Sequence, residues 1–546
     1  MNGAVNRISG NIVDVLNSTI YPGTLEIRDG RITSIVKDEK EYETFILPGM
    51  VDSHIHIESS MLVPSAFARL AVGHGTVATL SDPHEIANVL GIEGVNYMIE
   101  NTKTVPLKFC FGAPSCVPAT PFETSGAHIG PEQVEELLRK NEVKYLSEMM
   151  NFPGVLNDDP EVMAKIEVAR RLGKPIDGHA PGLRGEALAK YVAAGISTDH
   201  ESLNREEALE KIKLGMKILI REGSAAKDFE ELVGILEEHP DQCMFCSDDK
   251  HPDDLVLGHI NQLVKRALKL GIDKMKVLKC ACVNPVQHYG LDVGLLQEGC
   301  WADFIEIDGF EDFNILRTYI NGELVAEKGK TLLPKVGAGV ANNFQAGKKQ
   351  KLDFSVKPEG ETINVIEAID GQLITNRLSA ASKILGGNVV SDTDGDILKM
   401  AVVNRYQDAP PAVGFIKGFG LKNGAIASSV AHDSHNIVAV GVTDEALCQA
   451  VNVIVENQGG VAVVSDNEKS VLPLPVAGIM TIQDGFEVAK QYSELDKLAK
   501  KLGSKLHAPF MTLSFMALLV IPKMKLSDKG LFDGEKFEFM NLFYLG

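Results

Sequence analysis

Histidine and acidic residues recur at the ends of short apolar segments in the first half of the chain. The segment MVDSHIH at 50–56 contains His54 and His56, which are two residues apart and therefore share one face of an extended strand. Four later segments each end with one polar candidate: Glu148, His179, His200 and Asp248. A single histidine at a strand end is more often a hydrogen-bonded structural residue, but six such residues together are typical of a divalent metal site. We therefore predict that these six side chains bind metal.

The number of candidate ligands indicates more than one ion. Six protein ligands exceed what one tetrahedral zinc takes, and they suit two ions ~3.5–4 Å apart. Glu148 is the predicted bridge between the ions because its carboxylate has two oxygens. Imidazole and carboxylate ligands without thiolate fit zinc, manganese or iron(II). We expect two divalent ions per chain, manganese or iron(II) in preference to zinc.

The elements that must position these residues alternate between short apolar runs and helical stretches. The eight runs lie at 50–56, 75–82, 108–114, 144–149, 175–180, 196–201, 216–222 and 243–249. Helical patterns separate them, for example at 160–173, and another follows the eighth run at 254–271. Eight such βα units predict an α/β fold with a (β/α)8 barrel, in which catalytic residues lie at the C-terminal ends of the strands. All six candidate ligands fall at that end.

Strand-like sequence flanks the predicted barrel on both sides. The first 48 residues alternate apolar and polar positions, and Asp29-Gly30 is a hairpin signal. We predict a small β-sandwich built from 1–48 and 285–335, and a catalytic barrel over 49–284. A polar, glycine-rich linker then leads to an additional C-terminal α+β domain over 350–546.

Composition excludes several classes of function. The chain has 54 Lys and Arg against 74 Asp and Glu, a net charge of −20, which argues against a nucleic-acid or anionic-membrane partner. The longest apolar run, near 510–521, is too short to cross a bilayer. Eight cysteines in 546 residues are too few for a disulfide scaffold. We expect a cytoplasmic protein, a homo-oligomer of the dimer type, with a small-molecule partner.

Several long motifs resemble a known family. LPGMVDSHIHIESS, DGHAPG, STDHES and CSDDKHP resemble the amidohydrolase superfamily, and SDPHEIANVLG, YLSEMMNFPGV, HAPGLRG and AHDSHNIVAVG resemble its adenine deaminases. The resemblance covers essentially the whole chain and implies a metal-dependent barrel beside a β-sandwich. It also implies that His54 and His56 bind the more buried ion and that His179 and His200 bind the other.

The same resemblance implies the remaining roles in the site. Asp248 completes the ligand set and moves protons. Glu148 stands where many binuclear relatives carry a carboxylated lysine, and a glutamate bridge is typical of adenine deaminases. Asp248 and Glu148 are therefore the expected catalytic residues of an aminohydrolase that acts on a cyclic amidine.

The expected reaction, part of purine salvage, converts adenine and water to hypoxanthine and ammonia. Hydroxide activated by the metal ions would attack C6 of the ring. Two alternatives stay open. One is a ring-opening cyclic amidohydrolase of the hydantoinase type, against which Glu148 in place of lysine argues. The other is a non-catalytic amidohydrolase-fold scaffold, against which the complete ligand set argues.

Four further residues near the predicted rim are candidate substrate contacts. Asp249 follows Asp248, and because successive strand residues face opposite sides, only one of the two is expected to line the barrel mouth directly. Arg221 and His84 lie at the ends of the seventh and second runs. Gly182 belongs to the loop after His179, whose backbone N–H groups are placed to meet a purine edge.

The C-terminal region carries one more group of polar residues, His432, Asp433 and His435. Three interpretations stay open for this group: the side chains reach the barrel mouth, they bind another ion, or they form a solvated turn.

Overall fold

The computed structural model of the chain describes residues 5–224 and 226–544. The N-terminal flank consists of strands β1 (Asn6–Asp14), β2 (Thr19–Arg28), β3 (Arg31–Lys37) and β4 (Phe45–Pro48). Asp29 and Gly30 join β2 to β3 with φ angles of 50° and 77°. Two positive φ angles are what a two-residue hairpin turn matched to strand twist requires, so the predicted hairpin is confirmed.

Eight short parallel strands follow, one at each predicted run. They are β5 (Met50–Ile55), β6 (Thr76–Ser81), β7 (Lys108–Ala113), β8 (Val143–Met149), β9 (Ile176–Gly178), β10 (Thr198–Asp199), β11 (Lys217–Arg221) and β12 (Cys243–Cys246). Strands β5 to β9 form one sheet and β10 to β12 another. The sheets join where the Ser197 N–H donates to the Ile176 carbonyl at 2.9 Å, and a bridge between Ile55 and Asp248 joins the first strand to the last segment. The strands thus close into the predicted barrel.

Helices connect the barrel strands. They are α1 (Pro64–Ala71), α2 (His84–Leu90), α3 (Ile92–Thr102), α4 (Pro131–Leu138), α5 (Phe152–Leu156), α6 (Pro160–Arg171), α7 (Gly185–Ala193), α8 (Arg205–Lys213), α9 (Phe229–Leu232), α10 (Pro252–Leu257), α11 (Ile260–Lys269), α12 (Lys274–Leu278) and α13 (Asn284–Tyr289). The helix predicted at 160–173 is α6. Asp159 caps it by accepting hydrogen bonds from the N–H groups of Glu161 and Val162.

The single helix predicted at 254–271 is wrong, because the chain breaks between α10 and α11 at Gly258 and His259. The break turns the His259 ring into the barrel, where Nε2 donates to Asp52 Oδ2 at 2.7 Å. Asp52 also accepts a hydrogen bond from the Ser247 N–H at 3.0 Å. This buried pairing holds the first strand against the segment after the eighth, and a continuous helix would forfeit it.

The C-terminal flank returns to the first sheet. Its strands are β13 (Phe304–Ile307), β14 (Ile315–Ile320), β15 (Glu323–Glu327) and β16 (Lys330–Thr331). Both flanks share one eight-stranded sheet in the order β16-β15-β14-β13-β4-β1-β2-β3. Since β4 runs directly into β5, this sheet anchors the first barrel strand. The limits of the domains stay a prediction.

A second eight-stranded sheet and three helices follow. The elements are β17 (Thr362–Ala368), β18 (Thr375–Ala381), β19 (Ile384–Leu385), β20 (Asn388–Val389), β21 (Ile397–Val403), β22 (Ala412–Lys417), β23 (Ala425–Ser428), β24 (Ile437–Gly441), α14 (Asp444–Asn457), β25 (Gly460–Val464), β26 (Lys469–Pro473), α15 (Gly485–Lys501), α16 (Pro509–Ser514), β27 (Met524–Ser527), β28 (Gly530–Asp533) and β29 (Glu538–Phe539). The sheet order is β18-β17-β22-β21-β24-β23-β25-β26. In the described part of the chain, no helix is both long and apolar enough to span a membrane.

A buried lysine ties two segments of this region together. Lys525 in β27 is fully buried, and its Nζ donates to the carbonyls of Leu373 at 2.8 Å and Phe515 at 3.0 Å. Burial lowers the pKa of Lys525 from 10.5 to about 7, because the charged form loses its hydration.

We expect Lys525→Met to alter how stability depends on pH. The unfolded lysine binds its proton below pH ~10.5 and the folded one only below about 7, so the wild type loses stability as pH falls through this window, by ~1.4 kcal/mol per pH unit. As the pH is lowered from 10 to 7, the melting temperature of the variant should therefore rise relative to that of the wild type. Thermal unfolding at pH 7, 8.5 and 10 measures this. Exposed Lys536→Met is the control, and a difference that does not vary with pH would contradict the prediction.

Candidate metal-binding active site

Six polar side chains meet at the C-terminal rim of the barrel. They are His54, His56, Glu148, His179, His200 and Asp248. Each lies in the last residues of strands β5, β8, β9, β10 or β12, or follows the strand by no more than two residues. The parallel strands end at one rim, so residues far apart in sequence become neighbours there.

Four donor atoms face one another on the β5 side of this rim. The Nε2 atoms of His54 and His56 are 3.2 Å apart. Oε1 of Glu148 lies 3.2 Å from Nε2 of His56 and 3.8 Å from Nε2 of His54. Oδ1 of Asp248 lies 3.2 Å and 3.7 Å from the same two nitrogens. Ligands at 2.0–2.2 Å from a tetrahedral ion are roughly 3.3–3.6 Å apart. The distances in this group, from 3.2 to 3.8 Å, lie close to that range.

The other oxygen of Glu148 faces a second pair of histidines. Oε2 lies 2.6 Å from Nδ1 of His179 and 3.3 Å from Nε2 of His200. Oε1 of Glu201 is 3.7 Å and 3.6 Å from these nitrogens. Glu148 therefore divides its two oxygens between two histidine pairs.

The chemistry of this donor set fits a divalent metal site. The close approach of Nε2 of His54 to Nε2 of His56 leaves at most one proton between two nitrogens, whereas a cation accepts a lone pair from both. Both side chains are buried together with the carboxylates of Glu148 and Asp248. Within the described residues, these atoms form groups compact enough to hold an ion.

The electrostatics keep both carboxylates ionised. Burial raises the pKa of Glu148, but the nearby His179 and His200 outweigh it and hold the pKa well below its usual range. Burial opposes ionisation of Asp248 as well, and there the Arg221 guanidinium and His56 hold the pKa well below its ordinary value. Ionised carboxylates are the form that binds metal.

Comparisons with known proteins show the family of the chain. A model of the amidohydrolase family matches residues 45–325, and a model of the adenine deaminase C-terminal domain matches 372–538. An adenine deaminase of Salinibacter ruber is 54% identical over 538 residues, which is 98% of each chain. The chain belongs to the adenine deaminase family. An adenine deaminase of a Sulfurovum species is 55% identical over 98% of this chain and 99% of its own. Among solved structures, a beta-aspartyl dipeptidase of Fervidobacterium islandicum is 15% identical with a TM-score of 0.47, covering 61% of this chain and 98% of that one.

In this member of the adenine deaminase family, Arg221 contacts acidic residues of the site. Its Nη1 donates to Asp248 Oδ2 at 2.7 Å and to Glu201 Oε1, and its Nη2 donates to Glu201 Oε2 at 3.0 Å. Arg221 thereby turns Oδ1 of Asp248 towards His54 and His56. Sequence reasoning missed Glu201, although it directly follows His200, because only the fold reveals its pairing with Arg221.

Both members of the Asp248–Asp249 pair line the pocket, so the expectation that only one does is wrong. Strand β12 ends at Cys246, and Asp248 has a φ of 52°, in the left-handed region. The alternation of strand faces therefore stops before the pair is reached. Asp249 accepts a hydrogen bond from Ser59 Oγ at 2.5 Å.

Of the candidate substrate contacts His84 and Gly182, only His84 lines the pocket formed by the described residues. His84 lines the pocket, with Nδ1 at 3.7 Å from Glu148 Oε1 and Nε2 at 3.8 Å from Asp433 Oδ1. Gly182 does not line the pocket formed by the described residues, and its N–H donates to Glu207 Oε1 at 2.9 Å instead. Its backbone group is therefore already occupied.

The C-terminal region covers the barrel rim. The pocket is closed on this side by Leu373, His432, Asp433, Phe515, Leu518 and Ile521. Glu85, in the first turn of α2, accepts hydrogen bonds from His432 Nδ1 and from His435 Nε2, the latter at 2.5 Å. His432, Asp433 and His435 are all buried. The interpretation as a solvated turn is wrong, and two of the three side chains reach the barrel mouth.

Proposed function

We propose that this chain catalyses the hydrolytic deamination of adenine to hypoxanthine and ammonia. The observation that carries the proposal is the position of Glu148, whose two oxygens face the pair His54 and His56 and the pair His179 and His200. A bridging carboxylate between two ligand groups is the arrangement of binuclear hydrolytic sites. The relatives that match the chain over 98% of its length are named adenine deaminases.

Two divalent cations are part of the proposal, with manganese or iron(II) preferred to zinc. His54, His56 and Asp248 would hold one, His179 and His200 the other, and Glu148 both. When bound, such ions lower the pKa of water from 15.7 towards ~7, which makes hydroxide available at neutral pH. The homodimer and the cytoplasmic location expected from the sequence also belong to this proposal.

Asp248 is the proposed proton carrier. Its Oδ2 is held by Arg221, and its Oδ1 faces the histidines, where it accepts a proton from the attacking water. The water oxygen bonds to C6 of adenine while the C6–N1 double bond opens and its electron pair moves to N1. Asp248 then passes the proton to the amino nitrogen. The bond from C6 to that nitrogen breaks as the pair on N1 restores the ring double bond, ammonia leaves, and transfer of the remaining hydroxyl proton to N1 gives hypoxanthine. General acid–base catalysis of this kind contributes roughly 10²–10⁴-fold.

The apolar side of the pocket excludes bulk water from this reaction. Phe515, Leu518 and Ile521 face the rim from the C-terminal region, and each is less than a tenth exposed. In the proposed complex, a planar purine would lie between this surface and the donor groups. Exclusion of water strengthens the charge interactions of Glu148 and Asp248 with the reacting atoms.

Incubation with a substrate panel tests the activity. Adenine should be converted to hypoxanthine with one ammonia released, adenosine should be a poor substrate, and hydantoin should be inert. The ultraviolet change of the purine and an ammonia assay follow the reaction, and protein treated with a chelator is the control. Hydantoin turnover without adenine turnover would favour a ring-opening amidohydrolase, and no turnover of any compound by metal-loaded protein would favour a scaffold.

A further inference from the structure

Two neighbouring polar residues of the C-terminal region, His432 and Asp433, line the pocket. His432 and Asp433 are 2% and 3% exposed. His432 Nδ1 is bonded to Glu85, while His432 Nε2 and Asp433 Oδ2 have no hydrogen-bond partner among residues 5–224 and 226–544. A buried polar atom left unpaired is energetically costly, so such a pair at a pocket wall indicates a ligand that supplies the missing hydrogen bonds.

The shape beside these atoms suits a flat ring. The His432 imidazole is stacked on Phe515 with ring centroids 4.5 Å apart and planes 15° from parallel. Leu518 and Ile521 extend the apolar surface. A heteroaromatic base needs apolar contact on its faces and hydrogen bonds along its edge, and this wall of the pocket offers both.

The polar pair lies close to the ligand groups. His84 separates them, with Nδ1 at 3.7 Å from Glu148 Oε1 and Nε2 at 3.8 Å from Asp433 Oδ1. One imidazole ring therefore spans the gap between the bridging carboxylate and Asp433. Glu148, His84 and Asp433 line the same pocket, so a purine held beside His84 with its amino-bearing carbon towards Glu148 would direct its imidazole ring towards Asp433.

The hydrogen-bonding roles follow from what each atom already contacts. Burial lowers the pKa of His432, but Glu85 and Asp249 outweigh it and raise the pKa to about 9, so Nε2 carries a proton as well as Nδ1. The free Oδ2 of Asp433 is an acceptor. The pair thus offers one donor and one acceptor side by side.

We propose that Asp433 and His432 determine the selection of a free purine base: Asp433 Oδ2 accepts the N–H of the imidazole ring, and His432 Nε2 donates to another ring nitrogen. Adenine carries one N–H on that ring, whereas a nucleoside or a 9-alkyl purine carries none. The inference rests on the proposed deaminase activity, and it assigns specificity for the free base to the C-terminal region.

Adenine and 9-methyladenine, compared in wild type and Asp433→Ala, test this inference. In the wild type, kcat/KM should favour adenine by at least ~10²-fold, since a site built to bond an N–H rejects an analogue that lacks it. Asp433→Ala should lower kcat/KM for adenine by ~10²-fold or more and for 9-methyladenine by less than ~5-fold, so that the preference nearly disappears. Asp433→Asn, which keeps the size of the side chain, should give a smaller loss with the same bias.

Controls separate this role from other roles. Asp370 of the same region accepts a hydrogen bond from the exposed His507 at 2.5 Å and does not line the pocket formed by the described residues, so Asp370→Ala should leave the substrate preference unchanged. The metal content of the Asp433 variants should equal that of wild type. Equal losses for both substrates, or release of an ion by Asp433→Asn, would overturn the inference alone. Failure of wild type to deaminate adenine would overturn the proposed function and the inference with it.

Discussion

Glu148→Gln should lose bound metal and adenine turnover together. The amide keeps the size of the side chain but removes the negative charge that faces both histidine pairs, so the positive charge of two cations loses its shared partner. We expect elemental analysis to find about two divalent ions per wild-type chain and less than one in the variant. Replacing a residue that only hydrogen-bonds to a metal ligand lowers activity by roughly 10–100-fold. The fall in kcat/KM for Glu148→Gln should be larger than this, because Glu148 is itself a proposed ligand.

The matched control for this substitution is Glu161→Gln, which neutralises a half-exposed carboxylate on α6. It should keep both the ions and full activity. Normal adenine turnover by Glu148→Gln would remove Glu148 as the bridge and leave the proposed activity standing.

Asp248→Asn should separate catalysis from metal binding. Five of the six donor side chains remain, so most of the metal should stay bound, while the group that carries the proton is gone. We expect kcat to fall by roughly 10²–10⁴-fold with a smaller change in KM. Steady-state kinetics with adenine, together with elemental analysis of the same sample, measure both quantities.

Asp249→Asn is the natural comparison, because both side chains line the pocket. Asp249 bonds Ser59, and its replacement should act mostly through KM. If Asp249→Asn abolished turnover while Asp248→Asn kept it, the assignment of the proton carrier would be reversed.

The barrel and the convergence of the six candidate donor residues could be predicted because their signals are local. His54 and His56 share a strand face by spacing alone, and each of the eight runs overlaps one observed strand. Parallel strands in a barrel end at one rim, so the order of the runs already placed Glu148 and Asp248 together.

The rest of the site could not be predicted, because its contacts join residues that are far apart in the sequence. Arg221 ends β11 and Glu201 follows β10, 20 residues earlier, and only their side-chain geometry shows that they pair. Glu85 and His432 are 347 residues apart, and no periodic pattern links them. The position of Asp249 depended on a single positive φ at Asp248, which the sequence around it does not signal.

The residues of the barrel rim and those of the C-terminal region that cover it are far apart in the sequence, and this separation affects the order in which they are synthesised. Every proposed metal donor has been synthesised once Asp248 leaves the ribosome, but Leu518, which faces the rim, comes about 270 residues later. At a synthesis rate of 5–20 residues per second, that interval lasts roughly 15–50 s. During this time a barrel that folds as it is synthesised would expose its donor groups to solvent, so ions can enter from solution before the C-terminal region covers the rim. Metal loading is therefore expected to precede closure of the pocket.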